Sequence, residues 1–352
     1  MNKIFPALIG NNVLKRNIGV DIRRGHNSHA YIIEGDKGSG KRTIAELIAS
    51  ALSCEHRFDE DSVLPCGECN NCRRIKKGIS SDIVRITPEG KASIGIEAVR
   101  KIKDGLYVTP NDSDTRTYII ESADLLTPQA QNALLLSIEE PPSFAVFLLL
   151  VEDSTKLLET IRSRAQCIRT DVFSAHEVSN YLKELPGGAE LSRRNPDKFN
   201  AAVSLSGGSL GKAADLMRGG DDASALLKCR KRALELVSHL TDNKTTEPFK
   251  IIKTFAKTSA ESKEIFYLAD NAIRDLCVLK KTDDESEAFL TFFTDRNEAD
   301  ETVSDVSFKK LLYVHECLCN AVKQLDSNMS VKTVYINLIL SCQTNRRYYP
   351  KG

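Results

Sequence analysis

The segment Gly35-Asp-Lys-Gly-Ser-Gly40-Lys41-Arg42-Thr43 sits between two ordered-looking stretches. Before it runs the apolar Tyr31-Ile32-Ile33; after it, Thr43 to Leu52 places Ile44, Leu47, Ile48, Ala51 and Leu52 at helical spacing. A strand that breaks at glycines and continues as a helix is half of a βαβ unit. Tyr118-Ile119-Ile120 is a second buried-strand candidate. Val146 to Val151 is a third, entered after Pro141-Pro142, whose missing donors and fixed φ end the preceding helix. Strands separated by helical stretches predict an α/β domain with a parallel sheet over residues 1–175.

From about residue 176 the strand signal stops. Residues 176–220 carry short helical patterns broken by Pro186-Gly187-Gly188 and Gly207-Gly208, and read as a small helical domain. Gly219-Gly220-Asp221-Asp222 marks the next boundary, and residues 221–352 read as long helices. One of these aligns Leu311, Val314, Leu318, Ala321, Val322 and Leu325 on a single stripe. The acidic stretch 283–301 is expected to be a solvated loop or helix end.

Balanced charge, 49 Lys+Arg against 48 Asp+Glu, argues against a generally basic nucleic-acid binder. The apolar run Ala145 to Val151 is too short to cross a bilayer, and the N-terminus has neither an apolar h-region nor a small-residue cleavage site. A cytoplasmic protein with no membrane partner is the expectation. In a reducing compartment the 10 cysteines point to metal rather than disulfides.

The loop follows the template G-x4-G-K-S/T, in which glycines let backbone N–H groups close around phosphates, a lysine reaches the β/γ oxygens and a hydroxyl holds Mg²⁺. Gly35, Gly38, Gly40, Lys41 and Thr43 are the candidate contacts for a nucleotide. The hydroxyl position, however, holds Arg42, and Thr43 is one residue late, which turns its side chain about 100° away. The spacing predicts the loop's shape and leaves open whether it holds ATP with Mg²⁺.

A hydrolytic phosphate-loop enzyme ends a neighbouring strand with an Asp for the metal, often followed by a Glu that activates water. Here Glu121-Ser122 follow Tyr118-Ile119-Ile120. Glu121 can reach a metal through a longer arm, but a neutral hydroxyl cannot serve as general base. Asp124 reads as a helix-start residue. With both catalytic positions changed, ATP hydrolysis by this chain is not expected.

Cys54, Cys66, Cys69 and Cys72 are spaced to close a tetrahedral, structural Zn²⁺ site over residues 54–72. His56 is an alternative to Cys54 as the fourth ligand. Arg73, Arg74, Lys76 and Lys77 follow at once and read as a solvated helix face rather than a DNA contact. Downstream, Ile161-Arg162-Ser163-Arg164 offers arginines that could act on a neighbouring subunit's phosphate.

Taken in order, these elements resemble the clamp-loader branch of the AAA+ proteins, and most closely its bacterial delta-prime family. The resemblance runs from His29-Ala30-Tyr31 through the phosphate loop and the cysteine insertion. It continues through Ile94-Gly95-Ile96-Glu97-Ala98-Val99-Arg100 and Asn132-Ala133-Leu134-Leu135 to Ile138-Glu139-Glu140-Pro141-Pro142. After residue 176 it rests on length, helical content and Gly208-Ser209-Leu210-Gly211. It implies an AAA+ P-loop domain (1–175), a small helical lid (176–220) and an all-α collar (221–352) that joins a five-membered ring.

By the same resemblance the partners are the tau/gamma motor and delta subunits, with the sliding clamp and primer-template DNA met through the complex. The chain would then be part of a DNA polymerase holoenzyme without catalysing alone. Arg164, in Ser163-Arg164-Ala165, would be the arginine finger presented in trans, although Ala165 replaces the family's Cys. Gly211 stands where motor subunits carry a lid arginine, with Lys212 beside it, and Leu136 replaces a usual Lys.

Two other readings compete. One is an ATP-hydrolysing tau/gamma-like motor, opposed by Arg42, Ser122, Gly211 and the expectation of no long extension beyond the collar. The other is a stand-alone zinc-dependent nucleic-acid binder, which neutral charge and 0 tryptophans support poorly.

Overall fold

The computed structural model describes residues 3–88, 93–219, 221–241, 258–281, 290–293, 296–302 and 306–344. The chain divides into two units, Met1–Asp171 and Val172–Gly352.

The first unit alternates helix and strand: α1 (Asn12–Arg24), β1 (Ala30–Glu34), α2 (Lys41–Leu52), α3 (Asn70–Lys76), β2 (Ile83–Ile86), α4 (Ile96–Gly105), β3 (Arg116–Ile120), α5 (Pro128–Glu139), β4 (Ala145–Val151), α6 (Glu159–Arg162) and β5 (Gln166–Arg169). All five strands are parallel, in the order β2-β3-β4-β1-β5. The strand that feeds the glycine loop is therefore interior. Its Ile32 lies opposite Leu149 of β4 on one side and Cys167 of β5 on the other.

Alternation along the strands divides the core in two. Tyr31, Ile33, Val146, Leu148 and Leu150 face α1, α2 and the cysteine segment, whereas Ile32, Tyr118, Phe147 and Leu149 face α4 and α5. Tyr118 stacks on Phe147 at 5.1 Å between ring centroids. Every residue of β4 is buried, which is why that strand reads as an unbroken apolar run.

The edge strands β2 and β5 lack this signature. Arg85, Gln166, Cys167 and Arg169 are exposed, as the outer rows of a sheet permit. Charge and shortness hide both strands from periodicity. The unit's two ends are tied together: the Asn11 amide donates to Asp171 Oδ2 at 2.5 Å, and the Asp171 amide donates to Asn11 Oδ1 at 2.9 Å.

Every named element of the second unit is a helix: α7 (Ala175–Glu184), α8 (Gly188–Arg194), α9 (Pro196–Leu205), α10 (Leu210–Arg218), α11 (Asp221–Thr241), α12 (Ser259–Lys281), α13 (Arg296–Thr302), α14 (Phe308–Asp326) and α15 (Val331–Thr344). The breaks at Pro186-Gly187 and Gly207-Gly208 fall between helices, as the sequence indicates, with Gly188 opening α8. Residues expected to form a separate small domain share one buried core with the long helices. Val178, Leu182 and Ala213 belong to the same cluster as Leu236, Ile265 and Leu318. The predicted stripe on α14 is buried at Leu311, Val314, Leu318, Ala321 and Leu325, with Val322 half-buried.

The acidic stretch requires correction. Residues 283–289 and 294–295 lie outside the described residues, and 296–302 is helical. Leu290, Phe292 and Phe293, however, are fully buried rather than solvated. The cause is Asp275 of α12, buried itself, whose carboxylate accepts from the amides of Thr291, Phe292 and Phe293 at 2.9, 2.6 and 3.1 Å. Three charge-assisted bonds satisfy donors that a buried turn would otherwise orphan.

Candidate functional site

The glycine loop has the shape its spacing predicts. The Gly35 amide donates to Val151 O at 3.2 Å, which continues the β1–β4 ladder to the loop's first residue. A Cβ on Gly35 would lie 2.0 Å from Thr170 Oγ1 and 2.7 Å from Ser39 Oγ, so only glycine fits there. Gly38 and Gly40 hold φ of 82° and 87°, and Gly40 is the residue on which α2 starts. Lys41 opens that helix with its ammonium folded back across the loop. It donates to Gly35 O at 2.5 Å and Asp36 O at 2.9 Å. Burial pulls its pKa below the usual lysine value, against the opposing fields of Glu152, Asp36 and Asp124.

Arg42 and Glu121 form the feature that sequence alone does not disclose. The Arg42 guanidinium is ion-paired with Glu121 and sits at the position where the template places a metal-binding hydroxyl. Arg85 of β2 approaches the same carboxylate at 3.9 Å and pairs with Glu46 of α2 at 3.0 Å. Glu121 is largely buried, its side chain 13% exposed, and its charge is answered by two guanidiniums. A divalent cation there would meet a carboxylate already neutralised and a fixed positive charge beside it. Thr43 is exposed on the first turn of α2.

Asp124 differs from its helix-start reading. Ser122, with φ 51°, precedes a single turn over Ala123–Leu125, and Asp124 lies inside that turn rather than at its cap. Its carboxylate is buried at 5% side-chain exposure, 3.7 Å from Lys156 Nζ, with Oδ1 unpartnered. Asp124 also acts on Lys41 electrostatically, after Glu152 and Asp36, which makes it a second buried acid beside Glu121 at this site. Only the fold of the β3–α5 connection reveals it.

The four cysteines converge. Cys54 follows α2, Cys69 caps α3 and Cys72 lies within it; their sulfurs and that of Cys66 all fall within 4.8 Å of one another. The Cys66 and Cys72 sulfurs are 3.9 Å apart. A tetrahedral zinc with ~2.3 Å bonds separates its sulfurs by about 3.8 Å. The Cys69 amide donates to Cys66 Sγ at 3.3 Å and the Cys72 amide to Cys69 Sγ at 3.4 Å, an arrangement that favours thiolate. A hydrogen bond from Cys72 draws the Cys54 thiol down to about 5, whereas Cys72, its partner in that bond, is held up. No disulfide links them. The donor set fits a structural zinc, and exposed His56 takes no part. Of the basic residues that follow, Arg74 is paired with Asp112 at 2.8 Å, and Arg73, Lys76 and Lys77 are exposed.

Arg164 lies on the turn between α6 and β5. Its guanidinium is 3.0 Å from Glu139 Oε1 and donates to Thr160 O at 3.0 Å and to Ser163 Oγ at 3.3 Å. Its side chain remains 41% exposed. The Glu139-Glu140-Pro141-Pro142 run thus supplies the carboxylate that steadies Arg164. In the second unit, Lys212 is 3.5 Å from Glu264. Among the described residues no helix is long and apolar enough to cross a membrane.

Five parallel strands in this order, with a glycine loop leading from an interior strand into α2, define a P-loop-like α/β unit followed by a helical part. Residues 10–173 match the family described as DNA polymerase III, delta subunit. Over that span, under half of its length, the chain is similar to subunits of DNA polymerase III. It is 35% identical over 181 residues to DNA polymerase III subunit gamma of Buchnera aphidicola subsp. Schizaphis graminum, covering 51% of this chain and 48% of that protein. With subunit tau of Bacillus subtilis it is 32% identical over 162 residues, 46% of this chain and 28% of that protein.

The chain thus spans half or less of the length of these relatives. A crystal structure of a DNA polymerase III gamma subunit-related protein from Thermotoga maritima aligns with 95% of this chain and 98% of its own, at 21% identity and a TM-score of 0.42.

Proposed function

We propose that this chain is a clamp-loader subunit of DNA polymerase III of the delta-prime kind: a member of the ring that does not hydrolyse ATP. It completes a neighbouring motor subunit's site with Arg164 and helps place the sliding clamp on primed DNA. The observation that carries the reading is the Arg42–Glu121 ion pair, which puts an internal cation where a motor subunit would need magnesium. Ser122 leaves the adjacent position without a general base.

In this reading the loop residues Gly35, Gly38, Gly40, Lys41 and Thr43 preserve the shape of a nucleotide site, the four-cysteine cluster holds a structural zinc, and the helices after residue 175 supply lid and collar. The partners are motor and delta subunits, with clamp and DNA met through the assembly. Arg164 suits the finger role because it is exposed yet held by Glu139 and its own turn, so little ordering remains to be done when a phosphate arrives.

Two measurements test the proposal. The purified chain with primer-template DNA should show no ATP turnover, whereas substantial turnover identifies a tau/gamma-like motor instead. Arg164→Ala should leave the chain folded and able to assemble, but lower ATP turnover of the reconstituted loader. A finger is worth 10³–10⁵-fold where it serves the only site, and one of several sites in a ring loses less. Turnover equal to wild type in an assembled ring would remove Arg164 from the role.

A further inference from the structure

In the second unit, helices α12 and α14 bring together Asp270, His315 and Cys319. One donor atom from each lies within 4.8 Å of the others. His315 Nδ1 is 2.6 Å from Asp270 Oδ1, and Cys319 Sγ is 3.8 Å from His315 Nε2. We propose that this triad is a second metal site, one that takes a borderline-soft divalent cation of the zinc class, with His315 Nε2 and Cys319 Sγ as ligands and Asp270 as the carboxylate that orients the imidazole.

The argument is geometric. His315 and Cys319 are four residues apart on α14, so both project from one face of the helix. A tetrahedral zinc with bonds of ~2.05 Å to nitrogen and ~2.3 Å to sulfur holds those atoms about 3.6 Å apart, close to the separation found. The bond to Asp270 commits the Nδ1 proton to the carboxylate and turns the Nε2 lone pair toward the sulfur. That carboxylate–histidine relay is the usual outer shell of a metal-bound imidazole.

Of the lysines around the groove, Lys263 pairs with Asp326 at 2.6 Å and Lys212 with Glu264 at 3.5 Å, whereas Lys323, one turn on from Cys319, adds a positive field at its sulfur. Asp270 and Cys319 also line a groove of about 360 Å³ with Phe266, Tyr267, Leu318 and Val322. The groove leaves the remaining coordination positions open to water or to a ligand. Coordination displaces the Cys319 thiol proton to solvent, because a metal-bound thiol is deprotonated.

The test is metal stoichiometry and spectroscopy on the full chain. Titrated with Zn²⁺ against a chromophoric competitor, wild type should bind one ion more per chain than either His315→Ala or Cys319→Ser. Asp270→Asn should keep that ion but bind it 10–100-fold more weakly. With Co²⁺, the extra equivalent should carry a thiolate charge-transfer band that Cys319→Ser loses and Asp270→Asn retains. All three residues lie at or near the surface, so thermal melts of the variants should match wild type. Equal stoichiometry in wild type and in both ligand variants overturns the proposal, as does an extra cobalt equivalent with no thiolate band. Because the readout is a difference between wild type and variants, it is independent of the occupancy of the Cys54–Cys72 cluster.

Discussion

Removing metal from the four-cysteine cluster is a perturbation whose size follows from where the cluster sits. Cys54, Cys69 and Cys72 are 3%, 8% and 2% exposed, and they pack in the same core as Ile48, Leu52 and Leu64. An ion held there would cross-link the end of α2, the Cys66 turn and the start of α3, and the unfolded chain has no such site. Its contribution to stability is set by linkage: at a thousandfold excess of free zinc over its dissociation constant, about 4 kcal/mol. A unit of 150–250 residues shifts by about 2–4 °C per kcal/mol. Chelation should therefore lower the melting temperature of the first unit by ~8–16 °C.

Scanning calorimetry before and after chelation, with elemental analysis of the same samples, measures both quantities, and added zinc should restore the transition. Hydrogen exchange should accelerate first at the amides of Cys69 and Cys72, which donate to cluster sulfurs. If elemental analysis finds zinc and its removal moves the melt by less than about 2 °C, the cross-link argument fails. If protein purified without chelator contains no zinc, the site itself fails.

Two further perturbations probe the phosphate loop and the helical core. Arg42→Thr removes the internal cation from Glu121 and restores a hydroxyl at the template position. ATP binding should become magnesium-dependent, with at least about a tenfold gain (1.4 kcal/mol) on adding the metal. Calorimetric titrations giving the same magnesium dependence in both proteins would refute the reading of the ion pair. Asp275→Ala leaves three buried amides unpaired and should cost at least about 3 kcal/mol, read from denaturant midpoints.

The Asp275 carboxyl also has a pH signature. Burial outweighs its amide donors and Arg274 and holds its pKa above the ordinary aspartate value. Folding therefore raises its proton affinity. Its contribution favours the folded state fully below the unfolded pKa near 4 and is lost as pH rises through the higher folded value. Asp275→Asn, which cannot titrate, should gain stability relative to wild type as pH rises through that window. A pH-independent difference between the two proteins would contradict this.

Local patterns carried much of the architecture. The strands β1, β3 and β4, the glycine loop and the start of α2 are legible because each is a short apolar run or a fixed spacing that works through its own backbone. The cysteine set is legible for a similar reason, since three of its four members lie within seven residues, Cys66 to Cys72. Strands β2 and β5 were hidden because an edge strand buries only part of its surface and tolerates Arg85 or Gln166 at no cost.

Contacts between residues distant in sequence decided the rest. Arg42 and Glu121 are 79 residues apart, and neither predicts the other; the α/β crossovers bring the first turn of α2 to the end of β3. Asp124 reads as a helix start until the β3–α5 connection buries it. Leu290, Phe292 and Phe293 sit in an acidic, polar stretch and are nonetheless interior, because Asp275 reaches across to satisfy their backbone. His315 is an unremarkable residue on a helix until α12 supplies Asp270 at 2.6 Å. Periodicity reports which way a side chain faces. Which charge waits there is a property of packing, and electrostatic pairing acts through space rather than along the chain.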